Sequence, residues 1–239
     1  IDCYSKKSSS VFNFSDLCSM LIDNPPSKFE IAEIRGEKLF LLSEKAIYWA
    51  AKKILLIADL HLGKSTHFRK NGIAVPKQAE QKNWLLLHKL FKQYQPDRVC
   101  FLGDLFHSVH NNEWEVFGEL IESYPNIGFE LIQGNHDILP LEMYEKLGFQ
   151  VYESLLQEPF LFTHEPLKEN EVHYNLSGHI HPGVKLKGKG NQKHRVACFY
   201  FGKNAGLLPA FGSFTGLATI KVKKEDHVFI VTEEEVIAF

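Results

Sequence analysis

Polar side chains follow five short segments of this sequence that we interpret as strands, each at the point where the strand would end. The segments span 54–58, 99–102, 129–132, 160–162 and 174–176, and they lead into Asp59, His61, Asp104, Asn135, His136, Asp137, His164, His179 and His181. Functional groups collect at the carboxyl ends of strands in open α/β sheets, so we expect these side chains to share one edge. Mixed carboxylate, amide and imidazole ligands suit Mn, Fe, Zn, Ni or Co.

The spacing of these residues also favours metal binding. Asp59 and His61 are two residues apart, as are His179 and His181, and alternate residues of an extended segment point the same way. Glycines at 103, 134 and 178 allow sharp turns and close approach of the backbone. No cysteine lies in the loops that carry these polar residues, which excludes a cysteine-rich structural zinc site.

The order of the motifs resembles that of the calcineurin-like metallophosphoesterases. D-x-H, G-D, G-N-H-D, H and G-H-x-H follow one another between residues 54 and 182. Within that superfamily the chain looks like the bacterial ligase-associated DNA damage response endonucleases. The resembling stretches are 58–64, Phe68-Arg69, 103–108 and 208–216.

This resemblance implies a ligand set for two divalent ions, with Mn expected first and Fe, Zn, Ni or Co left open. One ion would be held by Asp59, His61 and His181, the other by Asn135, His164 and His179, with Asp104 bridging them. Two such ions about 3.5–4 Å apart clamp a phosphate and turn a bridging water into hydroxide near neutral pH. His136 would protonate the leaving oxygen, and Asp137 would orient His136 or fix the loop.

One departure from the superfamily pattern bears on the substrate. Many of its protein and monoester phosphatases have Asp and then Arg shortly after the G-D motif, where this chain has His107 and Ser108. An Arg fork suits a doubly charged terminal phosphate, so its absence favours diesters. Arg69 is either a substitute clamp or a solvated residue. His107 either lines the site or lies on a surface loop, and we assign His110 to the loop.

A basic segment follows the last ligand motif, with five Lys and Arg residues between 185 and 195. We interpret it as a hairpin whose Lys185, Lys187 and Lys189 grip substrate phosphates, with Lys64 and Lys70 extending the basic rim. The alternative is that these cations only keep an exposed hairpin soluble.

The order of elements predicts a layered α/β fold of two packed sheets, and the resemblance implies that these are mixed sheets flanked by helices, in a four-layer α/β/β/α sandwich. Strands alternate with helices in the first half, including a hairpin at 31–34 and 39–42, and strands dominate the second half. Residues 1–28 are interpreted as an appendage and 29–239 as a single domain. We expect 208–216 to pack in the core of the second sheet, with a base-stacking platform or a subunit contact as alternatives.

Composition narrows the class of protein. The formal net charge of −2 gives no overall positive field, so any site for a polyanion must be local. The four cysteines predict buried free thiols, and no apolar run is long enough for a membrane span. We find no signal peptide and expect a cytoplasmic protein.

Three hypotheses for function follow. The first is a phosphodiesterase or nuclease acting on DNA in repair, with ligase and helicase partners implied by the resemblance. The second is a small-molecule phosphohydrolase for cyclic nucleotides or nucleotide diphosphates, and the third a non-catalytic scaffold. Homo-oligomerisation is left open.

Overall fold

The computed structural model describes residues 28–64, 78–107, 112–168, 172–188, 193–213 and 215–239. Within them lie three α-helices and a 3-10 turn at Ala50–Lys52. The helices are α1 (Gln78–Tyr94), α2 (Asn112–Glu122) and α3 (Leu141–Lys146). The sequence predicts a helix that begins at Asn112 and another at 141–147, and both are present.

A seven-stranded mixed sheet carries the first half of the chain, in the order β1 to β7. Its strands are Phe29–Ile34, Glu37–Leu42, Ala46–Trp49, Ile54–Ile57, Arg98–Leu102, Gly128–Ile132 and Phe149–Tyr152. Strands β1 to β4 pair antiparallel, and β4 to β7 pair parallel. The predicted first hairpin is confirmed, with Arg35 and Gly36 at φ of 53° and 82° in its turn.

A nine-stranded mixed sheet holds the second half. Seven strands run in the order β14-β11-β12-β13-β10-β9-β8, and β15 pairs with β12 and β16. The strands β8 to β16 are Ser154–Gln157, Phe160–Thr163, Tyr174–Ser177, Pro182–Lys187, Lys193–Phe201, Ala205–Leu207, Ala218–Thr219, His227–Val231 and Val236–Ala238. The sequence also predicts a strand at 217–222, which is mostly wrong, because only Ala218 and Thr219 join the ladder.

Alternate residues of the central strand β4 serve two separate cores. Ile54 and Leu56 pack between the sheets, whereas Leu55 and Ile57 pack against the helices. The two packed mixed sheets are thus confirmed, with all three described helices on the outer face of the first sheet. In the described part of the chain, the outer face of the second sheet carries the small cluster around Cys198 and Val228 and no helix.

Two further expectations can be compared with the structure. The expected packing of 208–216 against the second sheet is confirmed at Leu208, which lies in the core between the sheets, and is wrong at Phe211, which packs in the helix-side core. At 2% exposure Phe211 offers no platform for a base. Cys100 and Cys198 are buried free thiols, as predicted, and burial raises the pKa of both, that of Cys198 to about 12. No helix among the described residues is long and apolar enough to cross a membrane.

Candidate metal centre

Strand ends from both sheets meet at one place. Parallel strands β4, β5 and β6 bring their carboxyl ends together in the first sheet, and parallel strands β9 and β10 do so in the second. The predicted polar residues therefore converge, although they come from two packed sheets rather than from one edge. Within the described residues they form two groups of potential metal ligands.

The first group consists of Asp59, His61 and His181, whose ligand atoms lie within 4.8 Å of one another. Asp59 is fully buried, and its Oδ1 lies 3.5 Å from Nε2 of His181. Both Asp59 oxygens also accept the backbone N–H of His179, at 2.9 and 3.1 Å. The carboxylate is therefore held in place by the loop that carries the second group.

The second group consists of Asp104, His164 and His179, again with ligand atoms within 4.8 Å. Asn135 joins them, because its Oδ1 lies 3.0 Å from Nε2 of His164 and 3.1 Å from Nδ1 of His179. The two imidazole nitrogens are themselves 3.1 Å apart. These four side chains converge on one point from four different loops.

Asp104 lies between the two groups and faces each with a different oxygen. Its Oδ2 is 3.7 Å from Nε2 of His61, and its Oδ1 is 3.5 Å from Nε2 of His164. Its side chain is 3% exposed. This is the position that a ligand shared by two ions requires.

The hydrogen bonds of the histidines leave lone pairs for a cation. Nδ1 of His164 lies 3.0 Å from the carbonyl oxygen of Leu102, which can only accept, so Nε2 is the bare nitrogen. That bare Nε2 faces the acceptor Oδ1 of Asn135. A proton on Nδ1 of His179 would satisfy only part of this arrangement. A divalent ion would satisfy both imidazole nitrogens and the amide oxygen of Asn135 together.

The first group has the same property. Nδ1 of His181 lies 3.2 Å from the carbonyl oxygen of Gly216, which leaves Nε2 bare. Nε2 of His181 and both ring nitrogens of His61 are buried with no hydrogen-bond partner. Buried nitrogens without partners are costly in a folded protein, and metal ligation removes that cost. The residues present therefore fit divalent ions.

Electrostatics favour the neutral, metal-binding form of His61. Burial lowers the pKa of His61 to about 2, with further lowering by Lys64, His181, His107 and His136. A metal ligand must be deprotonated, so no proton has to leave His61 before an ion binds near neutral pH.

The backbone at these ligands is unusual. Asp59, His61, Asp104, His179 and His181 have φ between 51° and 65°, in the left-handed region that non-glycine residues rarely adopt. The interpretation that paired ligands share the face of an extended segment is therefore wrong. Their backbone instead turns sharply after each strand. Such conformations persist where the surroundings hold them, and they cluster at functional sites.

Glycines allow the ligand loops to touch one another. A Cβ on Gly103 would lie 2.5 Å from Cγ of His164, and one on Gly178 would lie 2.6 Å from Oδ2 of Asp59. A Cβ on Gly134 would overlap the backbone nitrogen of Asp104. The expected close approach at these three glycines is confirmed. Gly212 has the same role, because a Cβ there would lie 2.5 Å from the carbonyl oxygen of Leu60. Sequence reasoning missed this glycine.

Asp137 holds the ligand loops rather than facing the cluster. Its Oδ1 accepts the N–H groups of Leu105 and Phe106 at 3.0 and 3.2 Å, and its Oδ2 accepts that of Gly134 at 2.9 Å. Of its two expected roles, these contacts match the fixing of the loop. Burial raises the pKa of Asp137 to about 7, against the hydrogen bonds from Gly134 and Phe106 that lower it. Cations at the adjacent ligands would favour the ionised form.

Three further side chains surround the centre. The ring of His136 lies 5.5 Å from that of His61, and its backbone N–H donates to Oδ1 of Asp104 at 2.9 Å. The ring of His107 lies 4.5 Å from that of His136, so His107 lines the site. Burial lowers the pKa of Lys64, and the carboxylates of Asp104 and Asp59 raise it, which places its ammonium within their field.

The expected substrate-binding residues are only partly described. Arg69, Lys189, Lys70 and His110 lie outside the described residues. Lys185 and Lys187 lie on β11, which pairs antiparallel with β12 and begins directly after His181. The predicted basic hairpin is therefore confirmed. Lys185 stands opposite Arg195, and Lys187 stands opposite Lys193.

Comparison with known proteins agrees with this geometry. The family model "Calcineurin-like phosphoesterase" matches residues 52–166. Among solved structures, the nuclease MPE of Pseudomonas putida is 30% identical, with a TM-score of 0.76, covering 89% of this chain and 100% of that one. The chain belongs to the calcineurin-like phosphoesterase family. Yfce, a phosphoesterase from E. coli, is 14% identical with a TM-score of 0.38, covering 75% of this chain and 87% of that one. No curated protein matches this chain.

Membership of this family assigns the reaction class. The chain is a metal-dependent phosphoesterase, a hydrolase, as the sequence predicts. Together with the two groups of ligands around Asp104, the family indicates a binuclear centre for divalent ions.

Proposed function

We propose that this phosphoesterase is a nuclease-type phosphodiesterase that acts on DNA. The observation that carries the proposal is the 30% identity to nuclease MPE across the whole length of that protein. The basic hairpin beside the centre supports the same substrate class, because cations near the scissile bond grip flanking phosphates.

The ligand assignment is part of this proposal. Asp59, His61 and His181 hold one ion, Asn135, His164 and His179 hold the other, and Asp104 serves both, as the distances between their ligand atoms support. Two divalent ions bound there, with Mn the first candidate, would clamp a phosphate and lower the pKa of a coordinated water.

The protein's own residues supply proton transfer and position. The half-buried ring of His136 stands beside His61, and its backbone is tied to Asp104. From there its imidazolium donates a proton to the leaving oxygen, a step worth about 10²–10⁴ in rate. Asp137 is a positioning residue, since its three backbone contacts fix the loop that carries His136.

The hairpin supports an anionic polymer as substrate for an energetic reason. Lys185 opposite Arg195 and Lys187 opposite Lys193 put four cations on one face, because residues two apart on a strand share a face. Like charges directly opposite each other cost about 0.2–1 kcal/mol per pair. If the lysines served only solubility, facing cations would be a cost without benefit. If they bind the phosphates of a substrate, the facing arrangement places several cations along one anionic strand. Lys185, Lys187 and Lys189 are therefore proposed to bind substrate, and Arg69 is proposed as a phosphate clamp.

The deciding experiment compares a diester with a monoester. The Mn-loaded protein is given bis-p-nitrophenyl phosphate, p-nitrophenyl phosphate and single-stranded DNA, and kcat/KM is measured for each. We expect the diester to be preferred over the monoester and the DNA to be cut. Preference for the monoester would instead indicate a small-molecule phosphatase, and no turnover with full metal loading would indicate a scaffold.

The biological setting is proposed from the motif resemblance. It supports a role in DNA repair in the cytoplasm, with ligase and helicase partners. Purified ligase and helicase from the same source, passed over the immobilised chain, test this directly. Retention of neither would remove the partner proposal and leave the nuclease proposal intact.

A further inference from the structure

A cleft of about 610 Å³ lies beside the metal centre and has no part in the metal site. Its walls come from the β2–β3 turn, from α1, from the segment 211–213 and from the β15–β16 turn. Its apolar lining consists of Leu86, Phe211 and Val231. Its charged lining consists of four lysines and three glutamates: Lys28, Lys45, Lys82, Lys89, Glu44, Glu233 and Glu234.

The strand register places this cleft at the same sheet edge as the metal ligands. Ala46 pairs with Ile57, which precedes Asp59 by two residues. The turn that carries Lys45 therefore lies about one strand spacing, roughly 5 Å, from the carboxyl end of β4. Lys28 is also at this edge, because its carbonyl oxygen accepts the N–H of Ser43 at 3.1 Å.

The segment 211–213 forms a wall between the cleft and the metal centre. Phe211 and Ser213 line the cleft, while the N–H of Gly212 donates to the carbonyl oxygen of Asp59 at 3.1 Å. The hydroxyl of Ser213 donates to Oδ1 of Asn83 on α1 at 3.0 Å, which fixes the wall to the helix. The two sites are therefore adjacent and separated by a single segment of chain.

Two ion pairs neutralise part of the cleft, and the lysines outnumber the glutamates among its lining residues by four to three. Lys89 binds Glu44 at 2.7 Å, with side chains 18% and 5% exposed, and Lys82 binds Glu233 at 2.7 Å. No hydrogen bond or ion pair among the described residues reaches the ammonium group of Lys45 or that of Lys28. Burial and the nearby Lys82 lower the pKa of Lys45, against the raising effect of Glu233, so an anion here would stabilise its charged form.

We propose that this cleft is a second phosphate-binding site, in which Lys45 and Lys28 hold a phosphodiester of the nucleic-acid strand whose neighbouring phosphate lies at the metal centre. The proposal rests on the DNA substrate proposed above. A strand fits better than a free anion, because the segment 211–213 joins the cleft to the backbone of the metal ligand Asp59.

The test uses Lys45→Gln with Lys53→Gln as a matched control. Both lysines have a left-handed backbone, with φ of 64° and 49°, and both border strands of the first sheet. Lys53 precedes β4 and therefore lies at the opposite edge, where it faces Asp97 at 3.6 Å. The Mn-loaded full chain is assayed on a 12-nucleotide single strand and on bis-p-nitrophenyl phosphate, at several salt concentrations.

We expect Lys45→Gln to raise KM for the 12-nucleotide strand roughly three- to tenfold and to flatten its salt dependence by about one phosphate contact. Turnover of bis-p-nitrophenyl phosphate, which has a single phosphate, should stay at the wild-type value. Lys53→Gln should change neither. Lys28→Gln, at an exposed position, should also raise KM for the 12-nucleotide strand. This variant tests the proposal if Lys45→Gln does not fold.

Two results would overturn the second site while leaving the nuclease proposal standing. One is a wild-type KM for DNA in both variants, and the other is an equal loss on DNA and on the small diester. If the wild-type protein hydrolyses the small diester and cuts no DNA, the proposed substrate itself is wrong, and the second site is rejected with it.

Discussion

Replacing Gly103 by alanine should damage the metal centre through a single contact. Gly103 has φ of +80°, and a Cβ there would lie 2.5 Å from Cγ and 2.9 Å from Cβ of His164. Gly148 has φ of +88°, and a Cβ there meets nothing within 4 Å. Gly103→Ala and Gly148→Ala therefore share the same backbone strain, and only the first also introduces a clash.

The structure sets the size of both effects. Each variant should lose roughly 1–2 kcal/mol of unfolding free energy, because an L-residue resists the left-handed conformation. Gly103→Ala should lose a further 1–3 kcal/mol or so, as overpacked sites do. The displaced His164 ring also loses its hydrogen bond to Leu102, and such losses weaken metal binding by about 10–100-fold.

Two assays separate these contributions. Urea unfolding gives the free energies, and a Mn titration of bis-p-nitrophenyl phosphate hydrolysis gives the half-saturating metal concentration. We expect Gly148→Ala to be less stable with wild-type half-saturation, and Gly103→Ala to show a half-saturation that is raised at least tenfold or so. The reasoning is refuted if Gly103→Ala keeps the wild-type half-saturation, or if both variants lose activity equally.

Three other variants test the remaining roles. His136→Ala should reduce DNA cleavage by about 10²–10⁴ and hydrolysis of bis-p-nitrophenyl phosphate much less, because p-nitrophenolate leaves without a proton; equal losses would argue against a proton donor. Asp137→Asn should lower the unfolding free energy by about 1–3 kcal/mol and raise the half-saturating Mn concentration, and a wild-type urea midpoint would contradict its role in the loops. Lys185→Gln combined with Lys187→Gln should raise the unfolding free energy by about 0.2–1 kcal/mol per like-charge pair removed, yet raise KM for DNA. A hairpin that becomes less stable would reject that account.

Strands with a local signal were predictable from the sequence, and strands defined by their neighbours were not. The run 54–57 is continuously apolar, and the first hairpin has a glycine turn, so both could be identified. β8 has the exposed and half-buried sequence Ser-Leu-Leu-Gln, and β13 is three residues long with a glycine. β8 forms by pairing with β9 across the two residues 158–159, although its own sequence gives no strand signal. β13 forms because β10, which is distant in sequence, offers it a hydrogen-bonding edge.

The types of ligand were predictable, but their backbone was not. Carboxylates and imidazoles after apolar runs identify the site from local sequence alone. The left-handed conformation of Asp59 and His61 depends on a neighbouring loop, since their N–H groups donate to Gly103 and Asp104 at 3.2 and 2.8 Å. Gly212 gives no local signal either, because its close approach to Leu60 joins parts of the chain far apart in sequence.

Strain and like charge at this edge have a common explanation. Each left-handed ligand costs about 1–3 kcal/mol, and a folded chain keeps such costs only where the surroundings enforce them. Here the loops enforce them on one another, through the N–H of His179 on Asp59 and that of His136 on Asp104. The protein's own hydrogen bonds therefore hold the metal-ligand side chains in place, so ion binding has less to order. The facing cations of the hairpin are a cost of the same kind, which the nucleic-acid strand proposed as substrate would offset.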